Sequence, residues 1–351
     1  MPNQPINPSI KDIAKEAGVA ISTVSYVVNN KDLVADKTKE KVLKAIDKLG
    51  YNPNYIARSL RTKKTSTIGV IVYDISNPFV AQMVKGMEEV VKKRGYMMVL
   101  GCTFNDSIEE ERQINVMINQ FIDGLLIVSG SDNEKIYKKI INRKIPLVFI
   151  DRELENNDRA SVIINNVDAV EKAIDYLFLM GHKKIGYISY PLENQTTIKQ
   201  RYCGYLKGLK KNSLAYDPEY VVIDKKFMDK ELEGKDMEIT YNLMQQFIKL
   251  KKLPTAFITI SDIIAYGLIK ALKENNIKVP EDVSVIGFDN IMFDDYISPP
   301  LTTIKQPKRT MGITGMNLLL DIIEGKNIEN SRIVLPTEII KRQSVKSISL
   351  Y

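Results

Sequence analysis

Several residue types that build common functional sites are scarce in this sequence. It contains no tryptophan, two cysteines and one histidine, and no apolar run is long enough to cross a membrane. Cys102 and Cys203 stand far apart, so they indicate neither a disulfide framework nor a zinc motif. His182 alone cannot form a multi-histidine metal site, and most catalytic triads also need a histidine. The absences predict a protein without a metal or cofactor and disfavour an enzyme.

The size and composition are those of an ordinary globular protein. The chain has 351 residues, of which 44% are hydrophobic and 26% are charged. This length exceeds what one hydrophobic core usually covers, so two or three domains are expected. No signal-peptide pattern occurs at the start of the sequence, which favours a cytoplasmic location without membrane attachment.

Positive charge is concentrated near the amino terminus. Residues 1–64 hold twelve Lys and Arg against six Asp and Glu, whereas the rest of the chain holds 38 against 37. A cationic module joined to a neutral body is typical of proteins that bind a polyanion such as nucleic acid. A solvated surface explains the same charge, so the residue pattern has to decide between the two.

The first fifty residues have the apolar spacing of three short helices. The first helix runs from its predicted cap, Ser9, to Gly18, and the second covers 21–29. A third helix is predicted over about 38–48 and is closed by Gly50. Its predicted inward positions are Val42, Leu43, Ile46 and Leu49. Two helices joined by a tight glycine turn in a cationic setting predict a helix-turn-helix, whose second helix enters the DNA major groove.

The same residues carry a family resemblance. The stretch SIKDIAKEAGVAISTVSYVVNN, followed by TKEKVLKAIDKLGYNPNYIARSL, resembles the opening of the lactose-repressor (LacI/GalR) family of transcriptional regulators. The resemblance extends over essentially the whole chain. It implies that DNA is contacted by Ile21, Ser22, Thr23, Tyr26, Asn29, Tyr55, Arg58, Leu60 and Arg61. Many family members carry arginine where Tyr26 stands; tyrosine cannot form the bidentate guanine contact of arginine, so a family operator sequence is not transferred.

A linker of residues 52–65 is predicted between a head of residues 1–51 and a body of residues 66–351. Its helical stretch is too short to be stable alone in water. By the family resemblance it becomes a hinge helix on DNA, where Leu60 inserts as an apolar wedge into the minor groove. A flexible tether is the alternative.

The body alternates short apolar runs with amphipathic stretches. The runs are IGVIVYD, MMVLG, GLLIVSG, PLVFID, KIGYIS, TAFITI and VSVIGF. Continuous apolar runs of this length are typical of strands buried on both faces, in parallel sheets flanked by helices. Residues 68–74 also resemble residues 185–191, which indicates an internal repeat. The predicted fold class is α/β, with an all-α helix-turn-helix head and a two-lobed core of parallel sheets similar to periplasmic binding proteins.

A ligand cleft is predicted between the two lobes. Parallel sheets bind ligands at the carboxyl ends of their strands, so two facing sheets line one cleft. The family pattern assigns residues 66–164 and 306–333 to one lobe, and residues 165–304 with the carboxyl terminus to the other. The predicted ligand-binding residues are Tyr73, Asn77, Phe79, Asp151, Arg152, Thr197, Arg201, Asp262 and Asp289.

The chemistry of these residue types suits a hydroxylated or planar ligand. An aromatic face stacks on a sugar or base ring, an arginine donates forked hydrogen bonds, and carboxylates accept bonds from hydroxyl groups. Other roles remain open, namely core packing for Phe79, a surface cation for Arg201, and helix caps for Asp262 and Asp289.

The leading prediction is a sequence-specific DNA-binding transcriptional regulator of the repressor type. It is expected to be a homodimer on a palindromic double-stranded operator, controlled by a small molecule in the cleft, with a sugar favoured over a nucleobase. The alternative is a solute-binding protein of the periplasmic type without DNA function. An enzyme of the Rossmann type is disfavoured, because no GxGxxG follows the first strand and no phosphate-loop or GxSxG motif occurs.

Overall fold

The chain forms two compact units, residues Met1–Thr65 and Ser66–Tyr351. The computed structural model describes residues 8–28, 32–51, 64–128, 134–153, 159–192, 196–229, 234–250 and 252–348. No helix within these ranges combines the length and hydropathy that crossing a membrane requires.

The first unit is a three-helix head, with α1 at Ile10–Ala17, α2 at Ile21–Val28 and α3 at Asp36–Leu49. At the start of α1, the backbone N–H and the hydroxyl of Ser9 both donate to Asp12 Oδ2, at 2.8 and 2.6 Å. The small core of the head consists of Ile13, Ala14, Val24, Val27, Val42 and Ala45. The predicted helical head is therefore confirmed.

The inward face of α3 differs from the prediction at one position. Leu43 is 50% exposed, and Ala45 is buried instead. Residues three or four apart share a helix face, so Val42 and Ala45 point inward together while Leu43 lies about 100° away from Val42. The helix also begins at Asp36, two residues before the predicted start.

The second unit contains two six-stranded sheets. The first sheet is β1 Thr67–Val72, β2 Met97–Cys102, β3 Gly124–Val128, β4 Leu147–Ile150, β5 Ser161–Ile164 and β11 Arg332–Leu335. The second sheet is β6 Ile185–Ser189, β7 Val221–Ile223, β8 Ala256–Thr259, β9 Ser284–Asp289, β10 Thr302–Lys305 and β12 Glu338–Ile340. Their strand orders are 11-5-4-3-1-2 and 12-10-9-8-6-7, and β12 is antiparallel to β10. The first five strands of each lobe therefore share one order, which agrees with the internal repeat of residues 68–74 and 185–191.

Helices accompany both sheets. They are α4 Pro78–Lys93, α5 Ser107–Asn119, α6 Glu134–Asn142, α7 Asn166–Leu179, α8 Thr196–Lys211, α9 Asp236–Leu250, α10 Asp262–Glu274 and α11 Lys308–Ile323. Short 3-10 turns occur at Pro218–Tyr220 and Lys225–Met228. The chain crosses between the lobes from β5 to α7, from β10 to α11 and from β11 to β12, so three segments act as hinges.

Two glycines bring α4 and α11 into backbone contact in the first lobe. A Cβ added at Gly312 would lie 2.0 Å from the carbonyl oxygen of Met83, and one at Gly86 would lie 2.3 Å from that of Arg309. Such distances are far below van der Waals contact, so neither position accepts a side chain without a shift of the helices. An ion pair of 2.6 Å between Arg309 and Glu89 joins the same helices at their exposed side.

Candidate functional site

A cavity of about 290 Å³ lies between the lobes, at the carboxyl ends of the strands. Residues of both sheets and their following loops line it. Seven predicted ligand residues are among them, namely Tyr73, Asn77, Phe79, Asp151, Thr197, Arg201 and Asp289. The structure thus brings together residues that are more than 200 positions apart in the sequence.

The aromatic wall is built at the start of α4 and at the ends of the two repeated strands. Asn77 caps α4 by accepting a hydrogen bond from the backbone N–H of Phe79 at 2.9 Å. Phe79 is thereby placed both in the first lobe's core and on the cavity wall, so its two predicted roles coexist. Tyr73 and Tyr190 follow β1 and β6 at equivalent places of the repeat, and both line the cavity.

Arg201 is a buried donor rather than a surface cation. Its Nε donates to Asn166 Oδ1 at 2.9 Å, and its Nη1 donates to the carbonyl oxygen of Ile260 at 2.8 Å. The guanidinium carbon lies 3.7 Å from the ring centroid of Phe288. These contacts fix the plane of the guanidinium, while Nη2 has no acceptor in the described part of the chain. A cavity ligand can therefore accept from the two N–H bonds of Nη2, which form a preoriented donor fork.

Asp289 ends β9 and presents a carboxylate to the cavity. Its backbone has a φ of 120°, and the equivalent Asp151 after β4 also has a positive φ of 56°. Gln306 Nε2 donates to Asp289 Oδ1 at 2.6 Å. Burial raises the pKa of Asp289 to about 7, although the positive charge of Arg201 opposes the shift.

Two cavity residues are bonded directly to the segments that cross between the lobes. Arg201 donates to Asn166, the first residue of α7, just after the crossing from β5. Asp289 accepts from Gln306, which lies in the crossing from β10 to α11. In addition, Lys308 Nζ donates to the carbonyl oxygen of Asp289 at 2.8 Å. A ligand that bonds to Arg201 or Asp289 therefore acts on groups that hold two hinges.

The prediction that Asp262 binds ligand is replaced by a structural role. Asp262 is fully buried and is not part of the cavity wall. It accepts from Thr303 Oγ1 at 2.5 Å and from the backbone N–H of Ile291 at 3.0 Å. Nor is it the helix cap, since Ser261 caps α10. Burial, and then the charge of Asp294, raise the pKa of Asp262 well above its ordinary range.

Arg152 also lies outside the cavity wall. It is buried, and its guanidinium carbon lies 5.3 Å from the ring centroid of Tyr137. This cation–π contact belongs to the first lobe, so the position of Arg152 favours packing over ligand binding.

The cavity also has lining residues that the sequence reasoning missed. Asp74 follows β1 just as Asp151 follows β4, so the same signal of a carboxylate after a buried strand could have found it. Phe227 comes from the charged stretch between β7 and α9, and Asp236 is the first residue of α9; no periodic pattern indicated a site at either position. Within the described ranges, no three His, Cys, Asp or Glu side chains are grouped as a metal ion requires.

In the head, α2 turns its polar side outward. Val24 and Val27 anchor it in the small core, whereas Ile21 and Tyr26 are 47% and 38% exposed and Ser22 is also exposed. Ser22 and Tyr26 are four residues apart, so they share one helix face, and Thr23 is half-buried beside them. The other predicted DNA contacts, Asn29, Tyr55, Arg58, Leu60 and Arg61, lie outside the described residues.

Comparison with known proteins agrees with both parts of the chain. Residues 9–54 match the family described as bacterial regulatory proteins, lacI family, and residues 174–345 match a periplasmic binding protein-like domain. The HTH-type transcriptional regulator RegA of Clostridium saccharobutylicum is 36% identical, over 96% of this chain and 98% of that protein.

Two solved structures cover nearly the whole chain. The lac repressor dimer bound to operator and the anti-inducer ONPF has a TM-score of 0.83 at 26% identity, covering 97% of this chain and 99% of that one. The complex of the transcriptional regulator CelR with cellobiose has a TM-score of 0.71 at 28% identity, covering 96% and 100%. The predicted fold class, a helix-turn-helix head with two parallel-sheet lobes, is confirmed. The chain belongs to the lacI family of bacterial regulatory proteins, and it is a DNA-binding transcriptional regulator under small-molecule control, not an enzyme.

Proposed function

We propose that this regulator is a cytoplasmic homodimer of the repressor type, in which a sugar held between the lobes changes the affinity for a palindromic operator. The carrying observation is that Arg201 and Asp289 both line the cavity and hydrogen-bond to lobe-crossing residues. If ligand binding shifts the lobes and thereby the operator affinity, DNA must change ligand affinity by the same factor.

The wall chemistry favours a sugar as the effector. Arg201 offers a donor fork, Asp151 and Asp289 offer acceptors, and Phe79 offers an apolar face, which together match a ring that carries many hydroxyl groups. The solved CelR structure contains cellobiose, which supports the same ligand class. A nucleobase is the second candidate, since aromatic side chains also stack on planar rings.

We assign operator recognition to the outward face of α2, through Ile21, Ser22, Thr23 and Tyr26. The head is taken as residues 1–51, the linker as 52–65 and the effector-binding body as 66–351. Small hydroxyl side chains allow close approach to phosphates and base edges, and Tyr26 reaches further. The remaining contacts are assigned to Asn29, Tyr55, Arg58, Leu60 and Arg61.

Tyr26→Ala is expected to relax sequence preference at one base pair of each half-site, because its side chain is the longest on the outward face of α2. The expected loss of discrimination is about 1–3 kcal/mol at that position. Selection from a random inverted-repeat library measures it. Leu43→Ala on α3, which also removes an exposed apolar side chain, is the matched control. Identical selected sequences for Tyr26→Ala and the unaltered chain contradict the assignment, and an absence of inverted-repeat preference contradicts the proposed function.

An exposed apolar face of the first lobe supports the homodimer. The outermost strand β2 and helix α5, with the loops next to them, carry exposed Met97, Leu100, Phe104, Ile108, Val116 and Phe121. Several exposed apolar side chains on neighbouring elements are typical of protein interfaces, and a palindromic site needs two copies related by a two-fold axis. We therefore place a second copy of the chain on this face.

Met97→Glu is expected to convert the dimer to a monomer, because Met97 is 71% exposed in one copy and becomes buried between two. A buried unpaired charge costs about 1–3 kcal/mol or more, so operator affinity is expected to fall by at least about tenfold. Light scattering gives the mass, and a gel shift gives the affinity. Leu179→Glu places the same charge at an exposed leucine of the second lobe and is expected to stay dimeric. A dimeric Met97→Glu protein rejects this face as the interface.

A further inference from the structure

Among the described residues of the cavity wall, acidic side chains outnumber basic ones. Its described residues include six carboxylates, Asp74, Asp106, Asp151, Asp229, Asp236 and Asp289. The same residues include one guanidinium, that of Arg201, and neither lysine nor histidine. A concave, partly dry site concentrates its electrostatic potential, so this wall attracts a cation and opposes an anion.

Two of these carboxylates line the cavity from opposite lobes, and each is held in place by a neighbouring residue. Asp74, after β1, accepts from the backbone N–H of Ser76 at 2.8 Å and from its hydroxyl at 2.7 Å. Asp236, at the start of α9, accepts from the hydroxyl of Tyr190 at 2.7 Å. Burial raises the pKa of Asp236, the hydrogen bond from Tyr190 opposes the shift, and the negative charge of Asp74 adds to it.

The carboxylate of Asp289 offers a further hydrogen-bond acceptor in the cavity. Asp289 is 6% exposed and lines the cavity, yet only its Oδ1 accepts a hydrogen bond from the described residues. Its Oδ2 is left for a ligand. A ligand hydroxyl or ammonium in the cavity can donate a hydrogen bond to this oxygen.

We propose that the effector is a cationic sugar, that is, an amino sugar, whose ammonium group lies between Asp74 and Asp236 while its hydroxyl groups reach Asp289 and Arg201. This inference rests on the proposed function, because it names the ligand of the same cavity. An ammonium has three donors and one positive charge, so it replaces the repulsion of two fixed carboxylates with two charge-assisted hydrogen bonds. Since the carboxylates belong to different lobes, the cation draws the lobes together, which a neutral hydroxyl does far less strongly.

The test compares matched sugars on the full chain. Thermal unfolding at pH 6.5 is followed with glucosamine against glucose, galactosamine against galactose, and the fully deacetylated chitosan dimer against cellobiose. N-Acetylglucosamine controls for size and glucose 6-phosphate for negative charge. We expect an amine to raise the unfolding midpoint, to bind at least tenfold more tightly than its neutral partner, and the phosphate to have no effect. Equal effects within every pair, including no shift in any of them, overturn the proposal.

Two variants locate the ammonium. Asp74→Asn and Asp236→Asn are each expected to lower the affinity for the amine about tenfold more than the affinity for its neutral partner, so that the preference for the amine is lost. Asp168→Asn removes an exposed carboxylate of α7, away from the cavity wall, and is expected to keep the preference. An unchanged preference in both cavity variants contradicts the location.

Failure of this inference differs from failure of the proposed function. If operator binding responds to a neutral sugar and no amine is preferred, the proposed function is supported and the proposal of a cationic effector is rejected. If amines bind selectively but no inverted-repeat duplex is preferred over random duplex, the ligand class stands and the proposed function falls.

Discussion

Arg201→Ala is expected to abolish the response of operator binding to the effector. The guanidinium is the one cation on the described cavity wall, and it is already oriented by Asn166, Ile260 and Phe288. Each hydrogen bond to a charged group contributes about 1.5–3 kcal/mol, so loss of the fork lowers effector affinity by at least about 100-fold. Operator recognition is expected to persist, because α2 belongs to the other unit.

Calorimetric titration with the tightest sugar of the paired series measures the effect. Arg201→Lys keeps the charge without the fork, so we expect most of the loss to remain. Lys207→Ala removes an exposed cation from the same helix and serves as the matched control. A melting curve of each variant separates loss of binding from loss of fold. Effector affinity that is unaltered in a folded Arg201→Ala protein removes Arg201 from the site.

Asp289→Asn is expected to stabilise the ligand-free protein at pH 8 and to weaken effector binding. Burial raises the pKa of Asp289 from 3.8 to about 7, so the folded state keeps a proton that the unfolded state releases near pH 4. Between these values the free energy of unfolding falls by up to about 1.4 kcal/mol per pH unit, or about 4 kcal/mol in all. Asparagine does not ionise, and its oxygen still accepts from Gln306, so the variant lacks this loss.

Unfolding by urea between pH 4 and pH 9 tests the sign of this effect. In the unaltered chain, the contribution of Asp289 to the free energy of unfolding should be largest near pH 4 and decline up to about pH 7. In Asp289→Asn, the free energy of unfolding should depend less on pH over this range. Asp282→Asn, a carboxylate outside the cavity wall, should keep the slope. The prediction is contradicted if Asp289→Asn is less stable than the unaltered chain by the same amount at pH 8 and at pH 4. That result would show that ionisation of Asp289 does not destabilise the folded state.

The sequence was sufficient for the buried parts of the fold and insufficient for its edges. Central strands such as β1 and β6 are continuous apolar runs, because sheets covered on both faces need them. By contrast, β7 and β12 have only three residues each and are half-exposed, and β10 buries two threonines, so none of these has a long apolar run to recognise. Short edge strands are defined by their neighbours rather than by their own composition.

Cavity residues could be predicted where the structure of one lobe alone determines their position, and they were missed where the packing of both lobes does. Arg201, Phe79 and Asp289 could be assigned by strand ends and the family resemblance. The presence of Asp74 and Asp236 on one cavity wall depends on the packing of two lobes, which no local pattern encodes. Similarly, the structural role of Asp262 depends on Thr303, a partner 41 positions away.

Because their backbones touch at Gly86 and Gly312, α4 and α11 are expected to move together as one rigid pair. In this helix pair, α11 begins at Lys308, immediately after a hinge, and α4 carries Phe79 at the cavity wall. Side chains between two helices can change rotamer and so absorb a small movement. Backbones in direct contact cannot, so a shift of one helix is passed on to the other. We therefore expect a rotation of the hinge at Gln306 to shift the aromatic wall as well, and a larger residue at Gly312 to weaken this coupling by separating the two helices.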